Sequence, residues 1–255
     1  MHYYKIMKAL VKLLLLLLPL IVVAQQNNLV EYQFIKKDGF NEIQKEYLVF
    51  NDSDLYYINI KNDENLIFED PKLDKTKINF EPIYIDLKRD TLYQNRLGIK
   101  EKNSSKVAWF ILAEEKPKLV WEITKESKKI LGYTTYKATA KFRGRDYIAW
   151  FTPDLSYNYG PWKLNGLPGL ILKADTDLFS YEAKRIVLNS DKINAFSEWS
   201  NLKNRKNKLS IKEIIEIENN WLEYNRANIY ASFPPGVKIQ EKPLRADVRE
   251  LTLDE

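Results

Sequence analysis

Lys45-Glu-Tyr-Leu-Val-Phe50, Asn51-Asp-Ser-Asp54 and Leu55-Tyr-Tyr-Ile-Asn-Ile60 follow one another without a break. Two runs rich in aromatic and β-branched residues flank a polar tetrapeptide, the pattern of an antiparallel hairpin. Strand-like runs continue on both sides. Leu29–Ile35 and Ile83–Leu87 are short, apolar and bounded by polar residues. Lys106–Ala113 is too short for a typical helix and ends at Glu114-Glu-Lys-Pro117, so it also reads as a strand. Leu119–Thr124, Ile130–Tyr133, Thr134–Phe142, Asp146–Thr152, Leu170–Ala174 and Phe179–Leu188 extend the series. In Asp146–Thr152, Ile148 and Trp150 share one face, and Tyr147, Ala149 and Phe151 share the other. Residues 61–79, with Asp70-Pro71, read as a loop.

The period changes near the C-terminus. Ser210-Ile-Lys-Glu213 has the form of a capping box. Ile211, Ile214, Ile215, Trp221 and Leu222 then fall on one apolar stripe, which predicts a helix over about 210–228. The fold class expected is mainly β (α+β). It comprises an antiparallel curved sheet or half-barrel of about 8–10 strands, with one main C-terminal helix packed on it.

The chain has 255 residues and a formal charge of +5. Residues 1–24 read as a signal peptide, with Lys5, Lys8 and Lys12 before an apolar run and Val22 and Ala24 before the cleavage point. Residues 25–255 are then one β-rich domain. Removing the signal takes three lysines and no acid, leaving 37 basic against 35 acidic side chains, a net of +2. Nucleic-acid binding loses its compositional support. The basic loop over 201–208 reads as solvated surface.

The only His is His2 and the only methionines are Met1 and Met7; there is no Cys. The domain can hold no Ser-His-Asp triad, no Cys nucleophile and no His general base. No imidazole or thiolate ligand is present for zinc, copper or iron–sulfur. Carboxylate, Lys, Tyr, Ser and Thr chemistry remains. No cofactor, metal or membrane span is expected in the mature chain. With no Cys to carry a lipid, the protein is expected to be periplasmic or secreted and not a lipoprotein.

The most distinctive residues lie in 121–174. They include Trp121-Glu-Ile-Thr124, Ile130-Leu-Gly-Tyr133, Phe142-Arg-Gly-Arg145, Ala149-Trp-Phe-Thr-Pro153, Gly160-Pro-Trp162 and Gly166-Leu-Pro-Gly-Leu-Ile171. This set resembles the GLPGLI family of exported Bacteroidota proteins, a family without an established activity. Two departures are Thr134-Thr135 where relatives carry a Cys, and Leu155-Ser156 where they carry Ile-Pro. The resemblance implies work in the cell envelope, near outer-membrane transporters.

Without the name, Pro168-Gly169 suits the centre of a type II turn and Gly160-Pro161 a second turn. Gly166 gives the backbone a tight entry. With Trp150 and Trp162 beside them, these turns form an apolar corner that also holds Leu167 and Leu170. The corner is either core and turn chemistry or the lining of a groove for an apolar ligand or partner strand. Arg143 and Arg145 read as solvated turn charges or an anion contact. Asp154, Asp175 and Asp177 show no reliable catalytic pairing.

The expected function is that of an exported, non-catalytic envelope protein. It would bind an apolar ligand or an outer-membrane partner through Trp150, Trp162, Leu167, Pro168 and Leu170, with Gly160, Pro161, Gly166 and Gly169 as structural turns. The alternatives are an interaction module associated with an outer-membrane transporter, or a carboxylate-based hydrolase.

Overall fold

The structure is a computed structural model, and it describes residues 26–37, 42–59, 82–100, 107–193 and 197–234. The signal-peptide reading and the loop over 61–79 fall outside these residues. The described strands are β1 (Asn27–Lys36), β2 (Glu42–Phe50), β3 (Asp54–Asn59), β4 (Ile83–Asp86), β5 (Thr91–Lys100) and β6 (Val107–Glu115). They continue with β7 (Glu122–Ile130), β8 (Tyr133–Phe142), β9 (Arg145–Thr152), β10 (Leu170–Asp175), β11 (Phe179–Ser190) and β12 (Lys208–Leu209). Helix α1 is the single turn Ser197–Ser200, continued by a 3-10 turn over Asn201–Asn204, and α2 is Ile211–Ala231.

All twelve strands belong to one sheet, in the order β12-β6-β5-β4-β3-β2-β1-β11-β10-β9-β8-β7. Neighbours pair antiparallel except β12, which runs parallel to β6, so the sheet is mixed. The mainly β expectation holds, but twelve strands exceed the eight to ten read from the sequence. β5 escaped because polar residues break up its alternation, although Leu92 within it is fully buried. β12 is two residues long, too short to leave a pattern.

The β2–β3 hairpin turns as expected. Asn51 Oδ1 accepts the backbone N–H of Ser53 and of Asp54, and Asn51 N–H donates to the Asp54 carbonyl at 2.9 Å. Both of its strands are apolar at successive positions because both faces of the sheet are covered here. Leu48, Phe50, Leu55 and Tyr57 enter one core cluster, while Tyr47, Val49, Tyr56 and Ile58 enter another.

The larger cluster fills what we call the covered face. The chain between β9 and β10 folds back onto it, bringing Leu155, Trp162, Leu164 and Leu167 against the sheet, and α2 adds Ile211 and Ile214. The helix begins as predicted. Ser210 N–H donates to Glu213 Oε2 at 2.8 Å, and Glu213 N–H donates to Ser210 Oγ at 3.3 Å. Of the stripe, Ile211 and Ile214 are buried and Ile215 and Trp221 half-buried; the Leu222 side chain lies outside the described residues. The opposite, open face is covered at one end by Ile193, Trp199 and Leu202, which pack on Tyr47, Tyr56, Tyr84 and Tyr93. Elsewhere along it Lys137, Lys173 and Glu182 keep part of their side chains exposed.

Candidate functional site

Strand register builds a polar row across the uncovered part of the open face. Lys137 (β8) stands opposite Trp150 (β9), Trp150 opposite Lys173 (β10), and Lys173 opposite Glu182 (β11). Glu182 faces Gln33 in β1, and Gln33 faces Lys45 in β2. Residues directly opposite in a sheet share a face, so the row is continuous. Beside it, Asp175 accepts Ser180 Oγ at 2.6 Å and lies 3.8 Å from Lys173 Nζ and 3.7 Å from Lys37 Nζ.

A groove of about 360 Å³ opens above this row, lined by Lys128, Lys129, Ile130, Leu131, Lys173, Glu182, Ala183 and Lys184. Lys173 Nζ donates to Glu182 Oε2 at 3.1 Å, and Lys184 Nζ donates to Glu182 Oε1 at 2.5 Å. These hydrogen bonds, led by that from Lys184, hold the Glu182 carboxyl below the usual carboxylate range. Lys128 Nζ sits 3.8 Å above the centre of the half-buried Trp150 ring. Partial burial, and then the neighbouring Lys173 charge, push the Lys128 ammonium below the usual lysine value. The groove therefore combines cations, one ionised acceptor and the apolar side chains of Ile130 and Leu131, beside the Lys128–Trp150 pair. Such a surface can hydrogen-bond a polar ligand and pack against its apolar side.

The residues singled out in the sequence are divided by this geometry. Trp150 belongs to the open-face row. Trp162, Leu167 and Leu170 are buried in the covered-face cluster, and Pro168 is exposed at the turn before β10. The corner expected to join Trp150 to Trp162 is not formed, because period-two alternation sends Trp150 through the other side of the sheet. Trp162 lies 5.8 Å from Phe142, ring to ring.

The turns are tight, but Pro168-Gly169 is not a type II turn. Gly169 N–H donates to the Leu167 carbonyl at 2.8 Å, closing a smaller turn about Pro168, and Leu170 N–H goes to the Leu155 carbonyl. Glycine is required at 169 because φ is +151° and a Cβ there would stand 2.1 Å from the Thr152 carbonyl oxygen. At Gly160 the backbone passes so close to Ile171 that a Cβ would stand 2.8 Å from it. Pro161 and Gly166 lie within the same reversal, where Leu164 N–H reaches the Pro161 carbonyl and Gly166 N–H the Asn158 carbonyl.

Arg143 and Arg145 are not solvated turn charges; both are buried. Arg143 Nη2 donates to Glu114 Oε2 at 3.0 Å, and Lys163 Nζ donates to Glu114 Oε1 at 2.7 Å. Arg145 Nη1 donates to Asp177 Oδ1 at 2.7 Å. Sequence reasoning missed Lys128, Lys173 and Glu182 as neighbours of Trp150. A register of β9, β10 and β11 aligned on Trp150 would have revealed Lys173 and Glu182; Lys128 needed the offset of the irregular β7–β8 pairing.

A family model described as "N-glycanase peptide, N-terminal domain" matches residues 30–216, more than half of the chain. Two solved structures of PNGF-II, in the P21 and C2 space groups, share the fold with a TM-score of 0.52 each. Sequence identity is 22% and 21%, and each match covers 75% of this chain but 32% of the solved one. The chain thus spans about a third of the length of these structures. No curated protein matches the chain.

These findings correct three expectations. The resemblance to the GLPGLI family is set aside, since the matched model is the N-glycanase domain. The hexapeptide Gly166–Ile171 meets a local demand for a close turn into a buried strand, so it is weak grounds for descent. The reading as a non-catalytic envelope binder, and with it the exclusion of an enzyme, falls for the same reason. Having no Cys, and no His beyond residue 2, removes imidazole and thiol chemistry from the fold but leaves carboxylate chemistry untouched. The chain belongs to the family of the N-glycanase peptide N-terminal domain.

Proposed function

We propose that this protein acts in the enzymatic release of N-linked glycans and that the open-face groove holds the glycosylated substrate. The observation that carries the reading is the family match over residues 30–216. The groove supports it. A glycan needs hydrogen-bond donors and acceptors for its hydroxyls and an apolar plane for its ring faces. Lys173, Lys184 and Glu182 supply the first, while Ile130 and Leu131 supply the second, with Trp150 close by beneath the Lys128 ammonium. We assign Trp162, Leu167 and Leu170 to packing, and Gly160, Pro161, Gly166 and Gly169 to turn geometry.

A sheet curved toward a half-barrel is part of the same proposal. Glu114 in β6 and Arg143 beside β8 come from strands nine steps apart in the sheet order. A flat sheet would set them about 43 Å apart at about 4.8 Å per step, whereas their side chains bond directly. An exported location accords with residues 1–24 and with the absence, among the described residues, of a helix long and apolar enough to cross a membrane.

The test is incubation of the full chain with an N-glycosylated peptide. Mass spectrometry reads glycan release, and calorimetry reads binding. The expected result is binding that weakens at least about tenfold in Trp150→Ala, a loss of ~1.4 kcal/mol, with glycan freed from the peptide. Neither binding nor release by the folded chain overturns the reading.

A further inference from the structure

We propose that the groove between the end of β7 and β10–β11 selects glycans carrying an acidic group, a sulfate or carboxylate sugar. The inference rests on the glycan reading above and adds the substrate class. Four lysines and one glutamate line the groove. Lys173 and Lys184 are both engaged by Glu182, and Lys173 also lies near Asp175. Among the described residues, neither Lys128 nor Lys129 has a carboxylate at ion-pair distance. The lining therefore keeps a local positive excess in a domain whose overall charge is close to balanced.

Lys128 is not a freely moving surface lysine. Trp150 holds its ammonium 3.8 Å over the ring centre. A positioned cation costs less side-chain entropy to engage than a mobile one. The ammonium is also partly desolvated and crowded by Lys173, which lowers its affinity for a proton. A bound anion would relieve that repulsion and restore the balance of charge. Ile130 and Leu131 line the same groove and offer apolar contact to the sugar ring that carries the acid. The chemistry shared by sulfate and carboxylate sugars is one compact negative charge with several acceptor oxygens, which suits ammonium donors.

The experiment compares three glycopeptides by calorimetry on the full chain: a neutral one, its sulfated twin and its sialylated twin. Each is run at low and at high salt, with wild type and with Lys128→Gln/Lys129→Gln. Circular dichroism confirms that the variant folds. The expected result is at least about tenfold tighter binding of one or both acidic twins at low salt, shrinking at high salt. Which twin responds identifies the acid. The variant should lose this preference, read as the ratio of acidic to neutral affinity within the same variant. Equal binding of all three overturns the acidic subsite and leaves the glycan reading standing. An acidic preference that survives in the variant also overturns the site. Binding of none of them overturns both readings.

Discussion

Glu114 and Arg143 stand on strands second from opposite edges of the sheet order, or in the turn beside them, yet their side chains meet at 3.0 Å. Lys163 closes the group from the chain between β9 and β10, 2.7 Å from the other Glu114 oxygen. All three side chains are nearly closed off from water, at 8%, 6% and 1% exposure for Glu114, Arg143 and Lys163. The fold therefore depends on a buried carboxylate shared by two cations.

Removing that carboxylate takes from Arg143 and Lys163 the buried acceptor that they share. Glu114→Gln should destabilise the protein by about 3–5 kcal/mol. Chemical denaturation measures it. A loss below about 1 kcal/mol would mean that the triad is solvated in solution.

Trp162 is 3% exposed and holds a left-handed backbone with φ +56°. Only tight packing keeps a large residue in that conformation. Trp162→Ala should cost about 3–5 kcal/mol through the cavity it leaves. A melting temperature equal to wild type would show that the 160–169 segment does not pack as described.

The two close glycine approaches differ in what stands in the way. At Gly160 the obstacle is the Ile171 side chain, and at Gly169 it is the Thr152 backbone carbonyl. Gly160→Ala should cost about 1–3 kcal/mol, as overpacking does. Gly169→Ala should cost more, since a strand carbonyl has less room to move. Urea midpoints that place the two in the reverse order contradict this account.

Burial and the Glu31 charge push the Tyr47 hydroxyl from 10.0 up to about 12. The neutral phenol is favoured in the fold, so its contribution is fully present below pH 10. The unfolded chain ionises first as pH rises, and the contribution is lost as pH passes from 10 toward 12. Tyr32, Tyr56 and Tyr84 are shifted further in the same direction, chiefly by burial. Stability should fall steadily above pH 10, with part of the slope between 10 and 12 removed by Tyr47→Phe. Unfolding free energies measured across that range decide it.

The capping box gives a smaller, cleaner expectation. Ser210→Ala removes the acceptor for Glu213 N–H and should cost about 1 kcal/mol. Helical circular dichroism on heating would show it as earlier loss of α2.

Residues 45–60 carried their hairpin legibly because strand, turn and strand are each specified by neighbours in sequence. The same holds for Ser210-Ile-Lys-Glu213, whose two side chains and two backbone groups satisfy one another within a single turn. Ile193, Trp199 and Leu202 carried no such signal. They cover Tyr47, Tyr56 and Tyr84 together, but their spacing follows neither period. Trp150 was legible as a face-sharing partner of Ile148, but not as the neighbour of Lys173 and Glu182.

The sequence alone determined the period-two strands, the cap of α2 and the chemistry excluded by having no Cys and no His beyond residue 2. These depend on residue type and near spacing. Tertiary structure alone decided that Arg143 finds Glu114, that Trp162 faces the core and that Trp150 underlies a basic groove. Each is set by strand order and register between distant segments, and no local rule of sequence encodes which strand lies beside which.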